Sequence, residues 1–242
     1  RRCEVGMLLA APRFLLARHG ETNFNKEERI QGTLDSSVLT LDGISQVSAL
    51  GYFLASSGEA AAVDATWCSP MQRARQSYAA VLGCASAAGV SLPAACVRHE
   101  LREIELHEWE GLLKTEIDEE AWGAWKRRPD TYRAANGAAP LLDLWARAQG
   151  NWAAVRAGKS RCSFIMAHGA LGRCMLGTAL GLEPISFNEP SFEFENAALV
   201  EIEWPHDAAV ATRWRKRHPV ESEWMTAEDV VSSTAIADGQ AF

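Results

Sequence analysis

The first residues in the sequence whose types suggest chemistry are an arginine, a histidine and a glycine in succession. Arg18-His19-Gly20 follows a short apolar run, and Thr22 and Asn25 come soon after it. Glycine permits a tight turn with exposed backbone amides, and such amides, with hydroxyl and side-chain amide groups, can hold an oxyanion or a phosphate. An ordinary loop histidine would give the same pattern, so this segment alone leaves both interpretations open.

Two more polar segments begin where short apolar runs end. Ser69 to Arg73 follows the run 63–68, and His168-Gly169 follows the run 163–167, just as Arg18 and His19 follow the run 13–17. Each run predicts a buried strand, and ligands of parallel α/β sheets bind beyond the carboxyl ends of the strands. These segments, far apart in the chain, are therefore expected to meet at one edge of a sheet.

Helices are predicted between these strands, because apolar residues recur at helical spacing between capping and stop signals. In the helix over residues 40–56, Thr40 is the expected cap and Gly58 the expected stop, and Gly83 is expected to end a helix that begins at Pro70. Three further helices are predicted over residues 110–128, 140–156 and 171–180. Extended segments are predicted over residues 96–98, 196–204 and 210–215.

Alternating strands and helices predict an α/β fold: a three-layer sandwich with a mostly parallel sheet and helices on both faces. The whole chain, residues 1–242, is expected to form one domain, in which about residues 113–140 form a small helical cap beside the site. Residues 1–12 begin without methionine and are expected to be a flexible or processed N-terminus.

The composition excludes several classes of protein. The chain has 242 residues, of which 48% are hydrophobic and 23% charged, with a net charge of −7. That hydrophobic fraction can form a packed core, so intrinsic disorder is excluded. The negative charge argues against nucleic-acid and membrane partners, and the apolar runs are shorter than the ~20 residues of a membrane helix. A soluble globular protein is expected.

The six cysteines form no Cys-x-x-Cys pair, so neither a zinc site nor a redox pair is indicated. Most have apolar neighbours, which favours buried free thiols and a reducing compartment. Their even number leaves a disulfide framework open.

The order of the motifs resembles the histidine phosphatase superfamily, which includes the cofactor-dependent phosphoglycerate mutases. The resemblance covers nearly the whole chain. It rests on residues 18–25 (RHGETNFN), 29–32 (RIQG), 39–43 (LTLDG), 69–77 (SPMQRARQS), 101–104 (LREI), 109–111 (WEG) and 167–169 (AHG).

The resemblance implies a phosphoglycerate mutase-like fold and phosphoryl transfer through a phosphohistidine. His19 would be the nucleophile, since a neutral imidazole is nucleophilic near pH 7, and Glu103 would protonate the leaving oxygen and then activate water. Arg18 and Arg73 would bind the phosphate oxygens together with His168. These cations would replace the metal ions of other phosphatases, so no metal and no other cofactor is expected. The residues expected to bind substrate are Thr22, Asn25, Gln31, Gly32 and Gly169.

Several residues near these motifs have two interpretations. Glu105 and Glu110 are alternatives to Glu103, which holds the family position after Leu-Arg. His99 and His107 favour loop positions, and the tryptophans at 109, 122, 125 and 145 favour packing over lining the cap. Residues 126–128 (KRR) form either a solvated helix end or a cap that binds a second acidic group. Residues 213–218 (RWRKRH) form either an exposed edge strand or a docking patch for an acidic partner.

Three functions compete: a phosphatase, a phosphoglycerate mutase, and a catalytically idle binding module of the same fold. Glu103 and His168 are 65 positions apart, which is shorter than in the mutases, and the LREI motif is similar to the phosphatase form. The complete set of catalytic residues disfavours an idle module. The resemblance therefore implies a hydrolase whose partner is a small phosphorylated sugar or sugar acid; the oligomeric state is not predicted.

Residues 29–40, 101–106 and 111–114 resemble the plant 2-carboxyarabinitol-1-phosphate phosphatases, which are chloroplast enzymes. Gly169 departs from that branch, in which asparagine follows the second histidine. The resemblance makes 2-carboxyarabinitol 1-phosphate a candidate substrate and the chloroplast stroma a candidate location, with the cytoplasm as the alternative. A broad-specificity sugar phosphatase, or one that acts on fructose 2,6-bisphosphate, stays open.

Overall fold

The structure is a computed structural model that describes residues 11–158, 160–217 and 225–226. Within them one sheet has the strands β1 (Arg13–Arg18), β2 (Ala65–Cys68), β3 (Cys96–Val97), β4 (Cys162–Ala167), β5 (Leu199–Glu203), β6 (Arg213–Arg217) and β7 (Met225–Thr226). The α-helices are α1 (Asn23–Lys26), α2 (Leu41–Ser56), α3 (Glu59–Ala62), α4 (Gln72–Ala87), α5 (Glu119–Arg127), α6 (Pro140–Ala157) and α7 (Gly169–Ala179).

The strands lie in the order β3-β2-β4-β1-β5-β6-β7. The neighbours from β3 to β1 are parallel, whereas β5, β6 and β7 are each antiparallel to the strand before them in that order. Most strands therefore point the same way, as predicted. Arg18 is in register with Ala167, and Cys68 with Met166, so the chain leaves β1, β2 and β4 at the same edge of the sheet.

Helices cover both faces of this sheet, which confirms the predicted three layers. Alternate residues of a strand face opposite sides. In β1, Phe14 and Leu16 belong to the core that contains α6 and α7, whereas Leu15 and Ala17 belong to the core that contains α2 and α4. The site at the end of β1 is thus supported by packed helices on both sides.

The predicted limits of α4 were wrong at both ends. The helix begins at Gln72, after Met71 as its N-terminal cap, and continues through Gly83 to Ala87. A Cβ at residue 83 would meet nothing within 4 Å. A glycine in a helix interior costs only about 1 kcal/mol relative to alanine, so the surrounding residues carry the helix past it.

The helix predicted over residues 110–128 begins only at Glu119, where Asp118 caps it by accepting a 2.9 Å hydrogen bond from the Ala121 amide. Gly111 adopts a positive φ of 88°, which interrupts helical geometry near the predicted start. Trp122 and Trp125 do lie on one side, as predicted.

These two rings lie 5.8 and 6.1 Å from the ring of Trp109, measured between centroids. Trp145 is also buried. The predicted packing role of these tryptophans is confirmed.

The interpretation of residues 213–218 as an exposed edge strand was wrong. β6 pairs with β5 on one side and β7 on the other. Lys216 and Arg217 are buried: the Lys216 ammonium lies 2.7 Å from the Glu195 carboxylate, and the Arg217 guanidinium lies 4.0 Å from the Phe53 ring centroid. The segment is therefore not an open basic docking patch either; His218 lies outside the described residues.

The helices of the described part are all too short or too polar to cross a bilayer. The five described cysteines are free thiols, of which Cys68, Cys162 and Cys174 are buried, as predicted. Cys3 and the rest of residues 1–10 lie outside the described part of the chain.

Candidate active site

His19 follows β1 directly and is buried. Its Nδ1 atom lies 2.8 Å from the carbonyl oxygen of Gly20. A carbonyl oxygen can only accept, so Nδ1 carries the proton and the lone pair of the neutral ring is on Nε2. Burial, and then the positive charges of Arg73 and Arg18, hold the pKa of His19 well below its usual 6.5. The site therefore presents a neutral imidazole with Nε2 as its nucleophilic atom.

Gly20 allows the turn after His19 to press against α2. A Cβ at residue 20 would lie 2.3 Å from the carbonyl oxygen of Gly43, too close for any side chain. The Gly20 amide donates a 3.0 Å hydrogen bond to the Ser77 hydroxyl of α4. These contacts of Gly20 with α2 and α4 thus fix the backbone next to His19.

His168 comes from the end of β4 and forms the N-terminal cap position of α7. Its Nε2 lies 2.7 Å from the Ser69 hydroxyl, which follows β2, and its ring centroid lies 5.3 Å from that of His19. Burial, and then the charge of Arg73, lower its pKa well below the usual value. Its Nδ1 is buried and has no hydrogen-bond partner among the described residues.

Two arginines bring positive charge to these histidines. Arg18 Nη1 donates to the carbonyl of Phe194 at 2.7 Å, and Arg73 donates to the carbonyls of Leu34 and Gly32 at 2.9 and 2.8 Å. Neither guanidinium forms a salt bridge within the described ranges, and the Nε atom of each is buried without a partner there.

Within the described residues, nearby carboxylates offset the effect of burial on these two arginines only in part. Burial, with smaller contributions from the charges of Arg173 and Arg73, lowers the pKa of Arg18 to about 10, although Glu103 opposes the shift. Burial also lowers the pKa of Arg73. Because carbonyl dipoles rather than carboxylates solvate these charges, the pocket favours an incoming anion.

Glu103 reaches the same edge from the loop after β3. Its Oε1 accepts hydrogen bonds of 2.9 Å from the backbone amides of Ile104 and Leu171. Its Oε2 accepts one of 3.0 Å from the backbone amide of Ala170. The last two amides belong to the first turn of α7, which begins after His168. The carboxylate therefore lies at the N-terminus of α7, whose cap is His168, and negative charge is favoured there.

The predicted substrate-binding side chains form one hydrogen-bonded group behind His19. The Thr22 hydroxyl lies 3.0 Å from Asn25 Oδ1 and 3.0 Å from Gln31 Oε1. Asn196 Nδ2 connects this group to His19, since it donates to Asn25 Oδ1 at 3.1 Å and to the His19 carbonyl at 3.2 Å.

Gly32 and Gly169, also predicted to bind substrate, lie where space is restricted. Gly32 has a φ of 51°, and a Cβ there would lie 2.0 Å from Glu110 Oε1. A Cβ at residue 169 would lie 3.2 Å from the guanidinium carbon of Arg18. Both glycines therefore let the chain approach groups of the site closely.

The alternative carboxylates have other surroundings. Glu110 accepts hydrogen bonds from the amides of Thr33 and Leu106 at 2.8 and 3.0 Å, so it ties two loops together. Glu105 is exposed and lies 3.5 Å from His107 Nδ1. His99 is exposed as well, in a short 3-10 turn. Glu103 is therefore the best-placed acid of the three carboxylates.

The cationic run at residues 126–128 ends α5 and is exposed. Arg128 pairs with Asp130 at 2.8 Å. This arrangement fits the solvated helix end.

A small cavity of about 130 Å³ lies beside the loop that carries Glu103. Arg102, Arg147 and Thr33 line it, together with the acidic residues Glu105 and Asp143. The Arg102 side chain has no hydrogen bond or ion pair among the residues described, and its Nε is buried. A larger cavity is lined by Trp152, Trp204 and Arg156, and neither cavity is lined by a predicted site residue, although the small one is lined by Arg102 and Thr33, the neighbours of Glu103 and Gly32.

Sequence reasoning did not single out several contributors to the site. The amide of Asn196, the carbonyl of Phe194 and the guanidinium of Arg147 all contact predicted site residues or their loops. They come from distant parts of the chain whose local sequence carries no chemical pattern. Ser69, by contrast, lies in a segment that was predicted to reach the site.

The described residues contain no group of three or more His, Cys, Asp or Glu side chains arranged to hold a metal ion. The groups that face each other here are two imidazoles, two guanidinium groups and one carboxylate. This set can bind a phosphate, attack it and exchange one proton with its leaving group.

The comparison with protein families agrees with this fold and with this set of histidines, arginines and a carboxylate. The family model of the histidine phosphatase superfamily (branch 1) matches residues 14–217, so the chain belongs to that superfamily. The predicted family and fold class are confirmed.

Two relatives show where the chain stands within the superfamily. A 2-carboxy-D-arabinitol-1-phosphatase of Triticum aestivum is 33% identical over 179 residues, which are 72% of this chain and 34% of the wheat protein. A glucosyl-3-phosphoglycerate phosphatase of Mycolicibacterium vanbaalenii is 32% identical over 183 residues, which are 70% of this chain and 75% of that protein. The chain spans about a third of the length of the plant relatives it matches.

The solved structure of a mycobacterial glucosyl-3-phosphoglycerate phosphatase in complex with VO3 matches with a TM-score of 0.68 at 26% identity. It covers 86% of this chain and 98% of that one. The named relatives are thus phosphatases of the same fold.

Proposed function

We propose that the protein is a phosphomonoester hydrolase that works through a phosphohistidine at His19, without a metal ion, on a small phosphorylated sugar acid. The observation that carries this proposal is the cluster of Arg18 and Arg73 around two neutral histidines. The cluster has positive charge without a carboxylate partner in the described structure, and His19 has its proton fixed on Nδ1. Such a pocket is suited to a phosphate dianion.

In the first step, the lone pair on His19 Nε2 attacks phosphorus and the bond to the leaving oxygen breaks. The two guanidinium groups stabilise the charge on the phosphoryl oxygens. Glu103 carries a proton when the phosphate dianion of the substrate is bound next to it, and it gives that proton to the leaving oxygen, so an alcohol departs. The imidazole becomes positively charged, and the Gly20 carbonyl, 2.8 Å from Nδ1, stabilises that charge.

In the second step, water attacks the phosphohistidine. Glu103 takes the proton from that water. The bond between Nε2 and phosphorus breaks, and its electron pair returns to Nε2, so inorganic phosphate leaves and His19 is neutral again. Because Glu103 is held by two amides of α7 and by the Ile104 amide, it stays at the same place for both proton transfers. One carboxylate can therefore serve as acid and then as base.

The substrate class is proposed from the relatives and from the small cavity. The two named relatives act, by their names, on 2-carboxyarabinitol 1-phosphate and on glucosyl-3-phosphoglycerate, and both compounds are phosphorylated sugar acids. The cavity of about 130 Å³ offers Arg102 as a cation without a protein partner among the described residues. We place the leaving group there, with its carboxylate on Arg102. A chloroplast location belongs to the same proposal and would follow from 2-carboxyarabinitol 1-phosphate as substrate.

A panel of phosphorylated compounds tests the proposed substrate class. kcat/KM is compared between sugar-acid phosphates, including 2-carboxyarabinitol 1-phosphate and 3-phosphoglycerate, and neutral hexose phosphates. We expect a preference for the acids that falls about 10-fold in Arg102→Gln, because a hydrogen bond to a charged group contributes about 1.5–3 kcal/mol. Equal rates for acids and neutral sugars would contradict the proposed class.

The same panel is run with and without 2,3-bisphosphoglycerate and after treatment with EDTA. The hydrolase proposal predicts release of inorganic phosphate that neither addition changes. Interconversion of phosphoglycerates in place of hydrolysis would instead make the protein a mutase. Loss of activity in EDTA, restored by a divalent metal, would contradict a metal-free mechanism.

A further inference from the structure

The loop that carries Glu103 is fastened to α6 by one guanidinium group. Arg147 Nη1 donates to the carbonyls of Glu100, at 3.1 Å, and of Arg102, and its Nη2 donates to the carbonyl of Glu103 at 2.8 Å. Asn151, one helical turn further along α6, donates to the Glu100 carbonyl at 2.8 Å. Two neighbouring side chains of one helix thus bind three carbonyls of four consecutive residues.

This use of a half-buried arginine is costly. Burial lowers the pKa of Arg147, although the carboxylate of Glu103 opposes the shift. Arg147 forms no salt bridge in the described part of the chain, so neutral carbonyls alone receive its hydrogen bonds. A short polar side chain could bind one carbonyl, whereas the planar guanidinium group binds several at fixed angles.

Glu103 is held at both ends as a result. Its backbone carbonyl is bound by Arg147 from α6, and its carboxylate is bound by Ala170 and Leu171 at the start of α7. α6 and α7 pack against each other in one core, which also contains Trp152 and Met175. The carboxylate is therefore positioned by two packed helices, although it lies on a loop.

We infer that Arg147 is a positioning residue for the proton transfers of Glu103. The inference rests on the proposed function, because it assigns Arg147 to the acid step of that mechanism. Without Arg147 the loop would lose its fixed distance from His19, and the proton would reach the leaving oxygen less often. An arginine that served stability alone would weaken all reactions of the enzyme alike when removed.

Leaving-group dependence separates these two roles. An alkyl phosphate such as glycerol phosphate needs a proton on its leaving oxygen, whereas p-nitrophenyl phosphate has a good leaving group and needs none. Neither leaving group carries a carboxylate, so binding to Arg102 is not tested at the same time. kcat/KM is compared because it reports the first step and excludes hydrolysis of the phosphoenzyme.

We expect Arg147→Met to lower kcat/KM about 10- to 100-fold for glycerol phosphate and less than about 3-fold for p-nitrophenyl phosphate, since general acids contribute about 10²–10⁴-fold. Arg147→Lys keeps the charge and one donor direction, and should fall between wild type and Arg147→Met. In a Glu103→Gln background, Arg147→Met should cause no further selective loss, because both changes remove the same proton transfer.

Arg156→Met is the matched control. Arg156 lies on the same helix, donates to the carbonyls of Pro205 and His206 at 3.0 and 3.3 Å, and stacks on Trp204 away from the loop of Glu103. This variant should lower Tm but leave the ratio of the two kcat/KM values at the wild-type level.

Two results would overturn the inference: an equal loss for both substrates in Arg147→Met, or a wild-type ratio in Arg147→Lys and Arg147→Met alike. If Arg147→Met does not fold, Arg147→Lys decides the question by its ratio. Failure of the proposed function would look different, because wild type and Glu103→Gln would then show no difference in leaving-group dependence.

Discussion

The two ends of β1 carry the same residue type in opposite electrostatic settings. At the start of the strand, Arg13 pairs with Glu59 and Glu201 at 2.9 and 2.7 Å. Partial burial lowers its pKa, but the Cys162 thiol and these two carboxylates more than offset this, so its pKa is raised. At the end of the strand, Arg18 donates to one backbone carbonyl, and its pKa is lowered to about 10.

The difference separates a structural cation from one that awaits a ligand. Arg13 has its counter-charge within the protein, and Arg215 supports the same two carboxylates. Arg18 and Arg73 form no salt bridge within the described residues, and nearby carboxylates offset their burial only in part, so their charge costs stability unless an anion binds. Functional sites commonly retain such costs. A substitution of Arg18 should therefore lower activity, whereas a substitution of Arg13 should lower stability.

Arg18→Gln should give the largest effect on activity. We expect kcat/KM to fall about 100- to 1000-fold, since removal of one preorganised donor to a developing charge has such effects. Tm should stay the same or rise, because a desolvated charge without a salt bridge is removed. Phosphate or vanadate should raise the Tm of wild type but not of this variant. A large loss of Tm with kcat/KM retained would show that Arg18 is the structural cation and would contradict its assignment to the ligand.

Arg13→Gln should give the opposite result. Glu201, whose side chain is only 2% exposed, would lose one of its cations and keep Arg215. We expect the free energy of unfolding to fall by about 2–3 kcal/mol, less than the 3–5 kcal/mol of a fully buried pair, as measured by denaturant titration. kcat/KM should change less than about 2-fold. A comparable loss of kcat/KM here would show that the two ends are not independent.

The pH dependence of stability tests the charge of the pocket through its histidines. The pKa values of His19 and His168 are both lowered by burial, so the unfolded chain binds more protons than the folded chain as pH falls below 6.5. The free energy of unfolding should therefore fall by about 2 kcal/mol between about pH 6.5 and 5.5 from these two groups. His19→Gln should remove about half of that slope; an unchanged slope would contradict the buried neutral imidazole.

The smallest effect is expected at an exposed arginine of the same sheet. Arg213 lies 3.4 Å from Glu203, and its side chain is 60% exposed. Arg213→Gln should change the free energy of unfolding by less than about 0.5 kcal/mol and leave kcat/KM at the wild-type value. A loss as large as that of Arg13→Gln would mean that burial is not what separates the ion pairs of this protein.

The strands at the centre of the sheet, and the residues at their ends, could be predicted from sequence. The apolar runs that became β1, β2 and β4 were predicted, and with them the meeting of Arg18, Ser69 and His168, because parallel strands deliver their ends to one edge. Periodicity could not place the start of α5, since Glu110 and Gly111 serve contacts with another loop and fix a non-helical backbone there.

The supporting shell of the site was not predictable for a related reason. Arg147 and Asn196 act on carbonyls and amides that only the tertiary structure brings near, and carbonyls carry no sequence signature. The basic run that became β6 was likewise misjudged, because its partners Glu195 and Phe53 lie elsewhere in the chain. Sequence motifs identify the side chains that contact a ligand, whereas the tertiary structure decides which other groups position those side chains.

The most direct test of the central proposal is to trap the covalent intermediate. The enzyme is mixed with a radiolabelled phosphomonoester, quenched within milliseconds in alkali, and the label on the protein is measured after exposure to acid or base. We expect a phosphoenzyme that is stable in alkali and lost in acid, present in wild type and absent in His19→Ala, which should also lose more than about 1000-fold in kcat/KM. Turnover by His19→Ala at the wild-type rate, or label that survives acid, would contradict a phosphohistidine at this position.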